Sequence, residues 1–202
     1  MTSLRHNSDP QAAYLDAARA CILDVGWRRT TLTEVARRAG VSRMTIYRTW
    51  PDMAAVLADL MTREWGEVVA AAVVAADGSL VGDQRATVAD HLVEIVVATT
   101  RALRDNELFV RIVELDPELL LPYLLTRRGR SQQAIAELTA ARIREGQAEG
   151  SIRDGDPVTM ARALLLAAHG FVLSGHTMID DDVTEEALDS ELAHLVRRAV
   201  TP

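Results

Sequence analysis

Arg43, Met44, Thr45, Tyr47 and Arg48 lie within one short stretch of this 202-residue chain, directly after Ser42. Between them they offer two guanidinium forks, hydroxyls, an aromatic ring and a flexible thioether. That mixture suits a polyanion with a readable edge. Arg43 can address guanine through O6 and N7, and Met44 or the Thr45 methyl can meet the methyl of thymine. Such readout needs a rigid carrier narrow enough for a groove of double-stranded DNA.

The flanking residues supply one. Thr31 to Leu57, TTLTEVARRAGVSRMTIYRTWPDMAAVL, reads as two helices joined by a tight turn. The Thr31 hydroxyl can cap the first helix, and Glu34 three residues on would complete a capping box. Leu32, Val35, Ala36 and Ala39 share one helical face. Gly40 tolerates the positive φ that a sharp stop requires. Ser42 then caps a second helix whose inward residues are Val41, Ile46 and Trp50 or its neighbours. Where two helices cross steeply only a small side chain fits, and Ala36 provides it. The pattern predicts a helix-turn-helix whose second helix enters the major groove.

The segment resembles the amino-terminal signature of the tetracycline-repressor (TetR) family of transcriptional regulators. The match comprises a preceding helix ending in Gly26-Trp27, the Thr30-Thr31 pair and the Ala39-Gly40-Val41-Ser42 turn. Ile46-Tyr47, the aromatic Trp50 and Pro51-Asp52 also fit. The resemblance spans about residues 10 to 60. It implies phosphate contacts from Ser42, Tyr47 and the Thr31–Thr33 hydroxyls, Thr33 included, and from backbone amides near the start of the first of the two helices. At Met53 the chain departs from the family, which usually carries there a Lys that touches a DNA phosphate.

Charge is divided accordingly. Residues 1–57 carry eight Arg and five acids, whereas residues 58–202 carry fourteen Arg and twenty-four acids. A basic head on an acidic body confines favourable DNA contact to one end. Every basic residue is Arg, the better bidentate partner for guanine. At 49% hydrophobic residues the chain can bury a substantial core. The amino terminus has no apolar signal region, and the longest uninterrupted apolar run, Val68 to Ala76, is too short for a membrane span. The lone Cys21 has no internal disulfide partner and lies on an apolar helical face, where it packs. These features predict a cytoplasmic protein that has no membrane partner.

The rest reads as all-α, with a head at 1–57 and a helical effector-binding and dimerisation domain at 58–202. A first helix covers Gln11 to Val25, with Tyr14, Ala18, Ile22 and Val25 inward. A long fourth helix starts after Asp52 and is broken at Asp77-Gly78-Ser79 near Ala76. Further helices are expected from about Gln84 to Leu103 and from Asn106 to Leu115. Asp116-Pro117 should cap and open the next, which Pro122 shortens. The remaining three run from Arg130 to Glu149, from Asp156-Pro157 to about Thr177, and from Thr184 to about Arg198.

Two apolar stripes near the carboxy terminus predict a symmetric homodimer: Met160, Leu164, Ala168 and Phe171 on one helix, and Leu188, Leu192, Leu195 and Val196 on the last. Both stripes also seal part of the subunit's own core, but two long stripes at the terminus exceed what a single short body needs. Trp65, His91, Phe109, Arg111, Tyr123 and His169 are amphipathic or polar residues in otherwise apolar helices, and are candidates to line a pocket for a small-molecule effector. No catalytic constellation, Gly-rich phosphate loop, cofactor motif or metal-ligand set is recognisable. The expected function is a sequence-specific transcriptional regulator, a repressor released from a near-palindromic operator by a hydrophobic ligand. The alternatives are an effector-independent or activating regulator, and an α-helical enzyme carrying a helix-turn-helix.

Overall fold

The computed structural model describes residues 9–79 and 86–202, and among these there is no β-strand. The chain is all-α. Its helices are α1 (Pro10–Val25), α2 (Leu32–Arg38), α3 (Arg43–Thr49), α4 (Met53–Ser79), α5 (Val88–Arg104), α6 (Glu107–Leu115), α7 (Leu121–Leu125), α8 (Arg130–Glu149), α9 (Pro157–Ser174) and α10 (Glu185–Val200). Short 3-10 turns cover Trp27–Arg29, Pro117–Leu119 and Gly175–Met178.

The chain forms two compact units. One comprises residues 1–64 together with 107–128, the other 65–106 together with 129–202. This differs from a division at residue 57, because the first twelve residues of α4 and the whole of α6 and α7 pack with the head. The cause is apolar. Leu108 and Ile112 of α6 and Val56, Leu57 and Leu60 of α4 are buried in one cluster with Ile22, Leu32, Val35, Ile46 and Trp50. A polar group closes the same cluster from outside: Glu64, nearly buried, takes Arg19 at 3.2 Å.

The second unit packs α9 against α8 and α5, with α10 laid along α5. Its core holds Leu92, Val93, Ile143, Met160, Ala161, Leu164, Leu192 and Val196. Polar pairs stitch α10 to α5 at both ends. Buried Asp189 accepts from Arg101 Nε at 2.9 Å and from Arg104 Nη2 at 3.0 Å. Asp90 pairs with Arg197 and also closes a capping box with Thr87 at the start of α5. Burial alone would raise the Asp90 carboxyl, but hydrogen bonds from Arg197 and Thr87 outweigh it and bring its pKa down to about 2. Gly146 marks the tightest approach: a Cβ there would stand 2.5 Å from Ile152 Cδ1.

Several boundaries differ from the sequence reading for local reasons. α4 runs through Asp77 and Gly78 to Ser79, so that Asp-Gly-Ser does not break it at Ala76. α5 starts at Val88, where Thr87 accepts the Asp90 N–H, while the expected start near Gln84 lies outside the described residues. Asp116 does not cap the turn that follows it, and Pro122 opens the short α7 instead of interrupting a longer helix. α9 gives way to a 3-10 turn at Gly175. From Pro157 to Met178 the chain is long and apolar enough to cross a membrane by length and composition, although no apolar run in it reaches that length. Only 28% of its most apolar 18-residue window is buried inside the protein. One face of it therefore lacks a partner among the described residues.

Candidate nucleic-acid interface

Ile46 and Trp50 fix the orientation of α3. Both are buried, at 0% and 2% exposure, and the Trp50 indole Nε1–H donates to Asp59 Oδ2 at 2.7 Å. Tyr14 meets the Trp50 ring edge-on, with centroids 6.3 Å apart. With two inward residues pinned one turn apart, the helical period turns Arg43, Met44, Tyr47 and Arg48 outward. All four are exposed; Met44, an apolar residue, is 74% exposed. An outward Met beside two arginines offers a flexible apolar contact to a partner's methyl groups.

The turn before α3 is built as its sequence predicts. Gly40 has φ +68°, and the Val41 N–H returns to Ala36 O at 3.0 Å. Ser42 Oγ accepts the Thr45 N–H at 3.2 Å and lies 2.9 Å from Thr45 Oγ1. One of those two hydroxyl protons is consumed in the pair, leaving the other available to a phosphate oxygen. At α2, Thr31 Oγ1 accepts the Glu34 N–H at 3.2 Å, so the cap forms. The reciprocal half of the capping box does not appear, because Glu34 turns to Arg37, accepting its Nε–H at 3.0 Å. The Thr31 hydroxyl proton and the exposed Thr33 side chain remain at the surface.

Ion pairing divides the arginines of the head into two sets. Arg19, Arg28, Arg37 and Arg38 face Glu64, Glu118, Glu34 and Asp24 respectively. Arg29 donates to the Val25 carbonyl at 2.7 Å. Among the described residues, no carboxylate pairs with Arg43 or Arg48. The two cations aimed outward from α3 thus keep charges that no carboxylate among the described residues cancels, as does Arg29, whose carbonyl acceptor is neutral. A cleft of about 300 Å³ between α1 and α2 is lined by residues that include Cys21, Asp24, Arg29, Thr31, Glu34 and Arg38. Burial pushes the Cys21 thiol up, which keeps it protonated and suited to packing.

The family model described as bacterial regulatory proteins, tetR family, matches residues 15–60. Over 187 residues the chain is 36% identical to an HTH-type transcriptional regulator of Mycobacterium tuberculosis, an alignment covering 93% of this chain and 92% of that protein. The chain belongs to the tetR family of bacterial regulatory proteins. It is a DNA-binding transcriptional regulator. Solved tetR-family structures share the fold. The R. erythropolis transcriptional repressor QsdR superposes with a TM-score of 0.66 at 13% identity, covering 95% of this chain and 94% of its own. The Bacillus subtilis regulator FadR in complex with stearoyl-CoA gives 0.61 at 17% identity, covering 93% and 98%.

The other candidate residues of this tetR-family protein do not gather in one unit. Of the six proposed pocket residues, Phe109, Arg111 and Tyr123 belong to the unit that contains the head, and Trp65, His91 and His169 to the other. Phe109 is buried, and the remaining five are partly exposed. Burial holds the His169 imidazole below its ordinary value, favouring the neutral ring. Tyr123 carries the Arg127 guanidinium over its ring at 4.8 Å.

The dimer stripes need correction. Met160, Leu164, Leu192 and Val196 are buried within the single chain, at 7%, 6%, 0% and 1% exposure, and they seal the core of their own unit. Phe171 packs partly against the same core, and Ala168 and Leu188 are also partly covered. Of the eight, only Leu195 faces fully outward, at 55% exposure. Sequence reasoning missed the opposite face of α9. Ala163, Leu166, Ala167, Gly170 and Ser174 form an exposed stripe at helical spacing, and Leu166 is 71% exposed. The spacing was present in the sequence, but α9 is apolar nearly all round, so spacing could not choose which face turns inward.

Proposed function

We propose that the protein is a homodimeric repressor whose two heads read the half-sites of a near-palindromic operator, and that a mostly apolar small molecule releases it. The single observation that carries this reading is the outward face of α3, where Arg43, Met44, Tyr47 and Arg48 are presented with both guanidinium groups unopposed. Arg43 reads a guanine, Met44 and Thr45 meet a thymine methyl, and Ser42, Tyr47, Thr31 and Thr33 hold phosphates. Met53 packs against the head core and supplies no cation to the backbone.

Dimerisation uses the exposed stripe of α9 together with Leu195 of α10. Ala163, Ala167 and Gly170 are small enough to let two helices approach closely, and Leu166 gives each copy an apolar knob. The effector is a hydrophobic molecule with one or two polar groups. The complex of the Bacillus subtilis neighbour with stearoyl-CoA supports that class. Such a ligand releases DNA only by binding one spacing of the heads more tightly than the other. The protein acts in the cytoplasm on double-stranded DNA, and catalysis has no part in its function.

The test is selection of bound sequences from random duplex DNA by the purified protein. An enriched inverted repeat is the expected result, with affinity falling steeply as salt rises because phosphate contacts dominate. Recovery of unenriched DNA at low salt refutes the reading. A thermal-shift screen of apolar acids, phenols and thioesters tests the effector. Compounds that stabilise the protein should weaken operator binding reciprocally.

A further inference from the structure

The corner between α1 and α2 determines where α2 begins, and with it where Thr31 stands. Gly26 turns the chain at φ +81°. Thr30, buried, donates its hydroxyl to the Gly26 carbonyl at 2.8 Å and its N–H to the Trp27 carbonyl at 3.0 Å. Thr31 follows at once as the cap of α2. These bonds make the corner compact, yet they leave the Trp27 N–H without an acceptor inside it.

That acceptor comes from the far end of α6. Asp116, 3% exposed, accepts the Trp27 N–H on Oδ2 at 2.9 Å, across 89 residues of chain. Its other oxygen lies 3.5 Å from Arg28 Nε, and Arg28 also pairs with Glu118. The fit is close: a Cβ on Gly26 would stand 3.2 Å from Leu115 Cδ1 and 3.5 Å from Asp116 Oδ2. An Asp preceding Pro is well placed to cap the turn that the proline opens. Here the Pro117–Leu119 turn receives no side-chain cap, and the carboxylate is committed to the corner instead. A buried carboxylate is costly unless hydrogen-bonded, so this geometry is held from both sides.

We propose that Asp116 is a positioning residue for DNA recognition, one that ties the α1–α2 corner to the α6–α7 segment and makes operator affinity depend on the state of that segment. The proposal rests on the DNA-binding reading above and adds a route to it. Phe109, Arg111 and Tyr123, three of the six proposed effector contacts, lie in this same segment. Leu108 and Ile112 between them are buried in the head core. A ligand that shifts α6 therefore acts on the start of α2 through the Asp116 carboxylate.

Amide hydrogen exchange of the full-length protein, with and without a duplex selected from random DNA, tests this by linkage. In the wild-type protein the duplex should slow exchange in α3, in residues 26–33 and in residues 107–119. In Asp116→Ala the α3 protection should persist at saturating duplex. Protection of 107–119 should fall away, and affinity should drop about tenfold, as expected for a lost buried charge-assisted hydrogen bond. Asp116→Asn keeps an oxygen to accept the Trp27 N–H and should stay within about threefold of wild type. A wild-type duplex complex that protects α3 but leaves 107–119 unchanged overturns the proposal alone. So does an Asp116→Ala protein that melts earlier while its folded fraction binds the duplex with unchanged affinity and unchanged protection. Absence of any α3 protection in the wild type removes the DNA-binding reading and this inference with it. The wild-type comparison needs no substitution, so a variant that fails to fold leaves the test standing.

Discussion

The outward faces of α3 and α9 are both exposed, but they are made of opposite materials. α3 shows arginines, hydroxyls and one methionine, while α9 shows mainly alanines, a leucine and a glycine, flanked by Thr159, Arg162 and Ser174. Each is backed by a buried face that fixes its orientation: Ile46 and Trp50 behind α3, and Met160, Ala161 and Leu164 behind α9. Under the proposed function the difference suits each to a different class of partner. Unopposed guanidinium groups gain from a polyanion, whose counterions they release, and gain little from a neutral surface. A stripe of small apolar side chains gains from a matching stripe and nothing from DNA. Burial alone would not distinguish them, nor would helical spacing, since both helices obey the same period.

The largest expected effect separates the buried stripe of the second unit from its exposed one. Leu192→Arg places an unpaired charge at a site with 0% exposure and should unfold that unit, at a cost on the order of 3–5 kcal/mol. Leu166→Arg, on the exposed stripe, should leave the melting temperature of the monomer nearly unchanged. It should instead abolish dimers in sedimentation and reduce duplex affinity by more than about a hundredfold, because one head alone makes too few contacts. If Leu166→Arg remained dimeric, the partner face would lie elsewhere.

The next effect belongs to α3. Arg43→Ala should cost about 1–3 kcal/mol and relax one base position in each half-site. Tyr47→Phe should weaken every sequence alike and by less, since it removes a phosphate contact. An Arg43→Ala protein that lost affinity uniformly would reassign that arginine to the backbone. Arg37, paired with Glu34, gives the contrast: Arg37→Ala should change duplex affinity by about twofold or less, because the exposed pair already screens its charge. A large loss there would erase the division of the head arginines into committed and available sets.

A smaller effect probes how firmly the exposed stripe is backed. The Asp90 carboxyl has a folded pKa of about 2 against an ordinary 3.8. Its stabilising contribution is complete above the ordinary value and is lost as pH falls through 3.8 toward 2. Discounted for partial solvent exposure, that contribution is about 1 kcal/mol. Asp90→Asn should lower stability by about that amount at pH 7 and flatten the acid limb of a denaturation profile. An unchanged acid limb would show that the Arg197 pair does not hold α10 on α5.

How much was legible in the sequence follows the same contrast. The helix-turn-helix was readable because its signals are local: the Thr31 and Ser42 caps, the Gly40 turn, and Ala36 at the crossing each depend on neighbours a few residues away. The bounds of α8 were readable for the same reason, since Gly150 at φ +89° stops it. Asp116 was misread as a cap because its partner, Trp27, is remote in sequence. The division into units was misread because α6 carries its apolar face into the head core, which no composition shift announces. Which face of α9 turns inward is not legible, because Leu164, Leu165 and Leu166 are equivalent in sequence, and only the packing of α8 and α5 ranks them.

The central claim is that the outward face of α3 reads DNA in a paired, symmetric arrangement. Selection from random duplexes by the wild-type protein, repeated in parallel with Arg43→Ala and Arg37→Ala, tests it most directly. The account predicts one inverted repeat for the wild type, the same repeat with undiminished information for Arg37→Ala, and a repeat degenerate at one symmetric base pair for Arg43→Ala. A wild-type protein that enriches no repeat, or an Arg43→Ala protein that enriches the wild-type repeat unaltered, contradicts it.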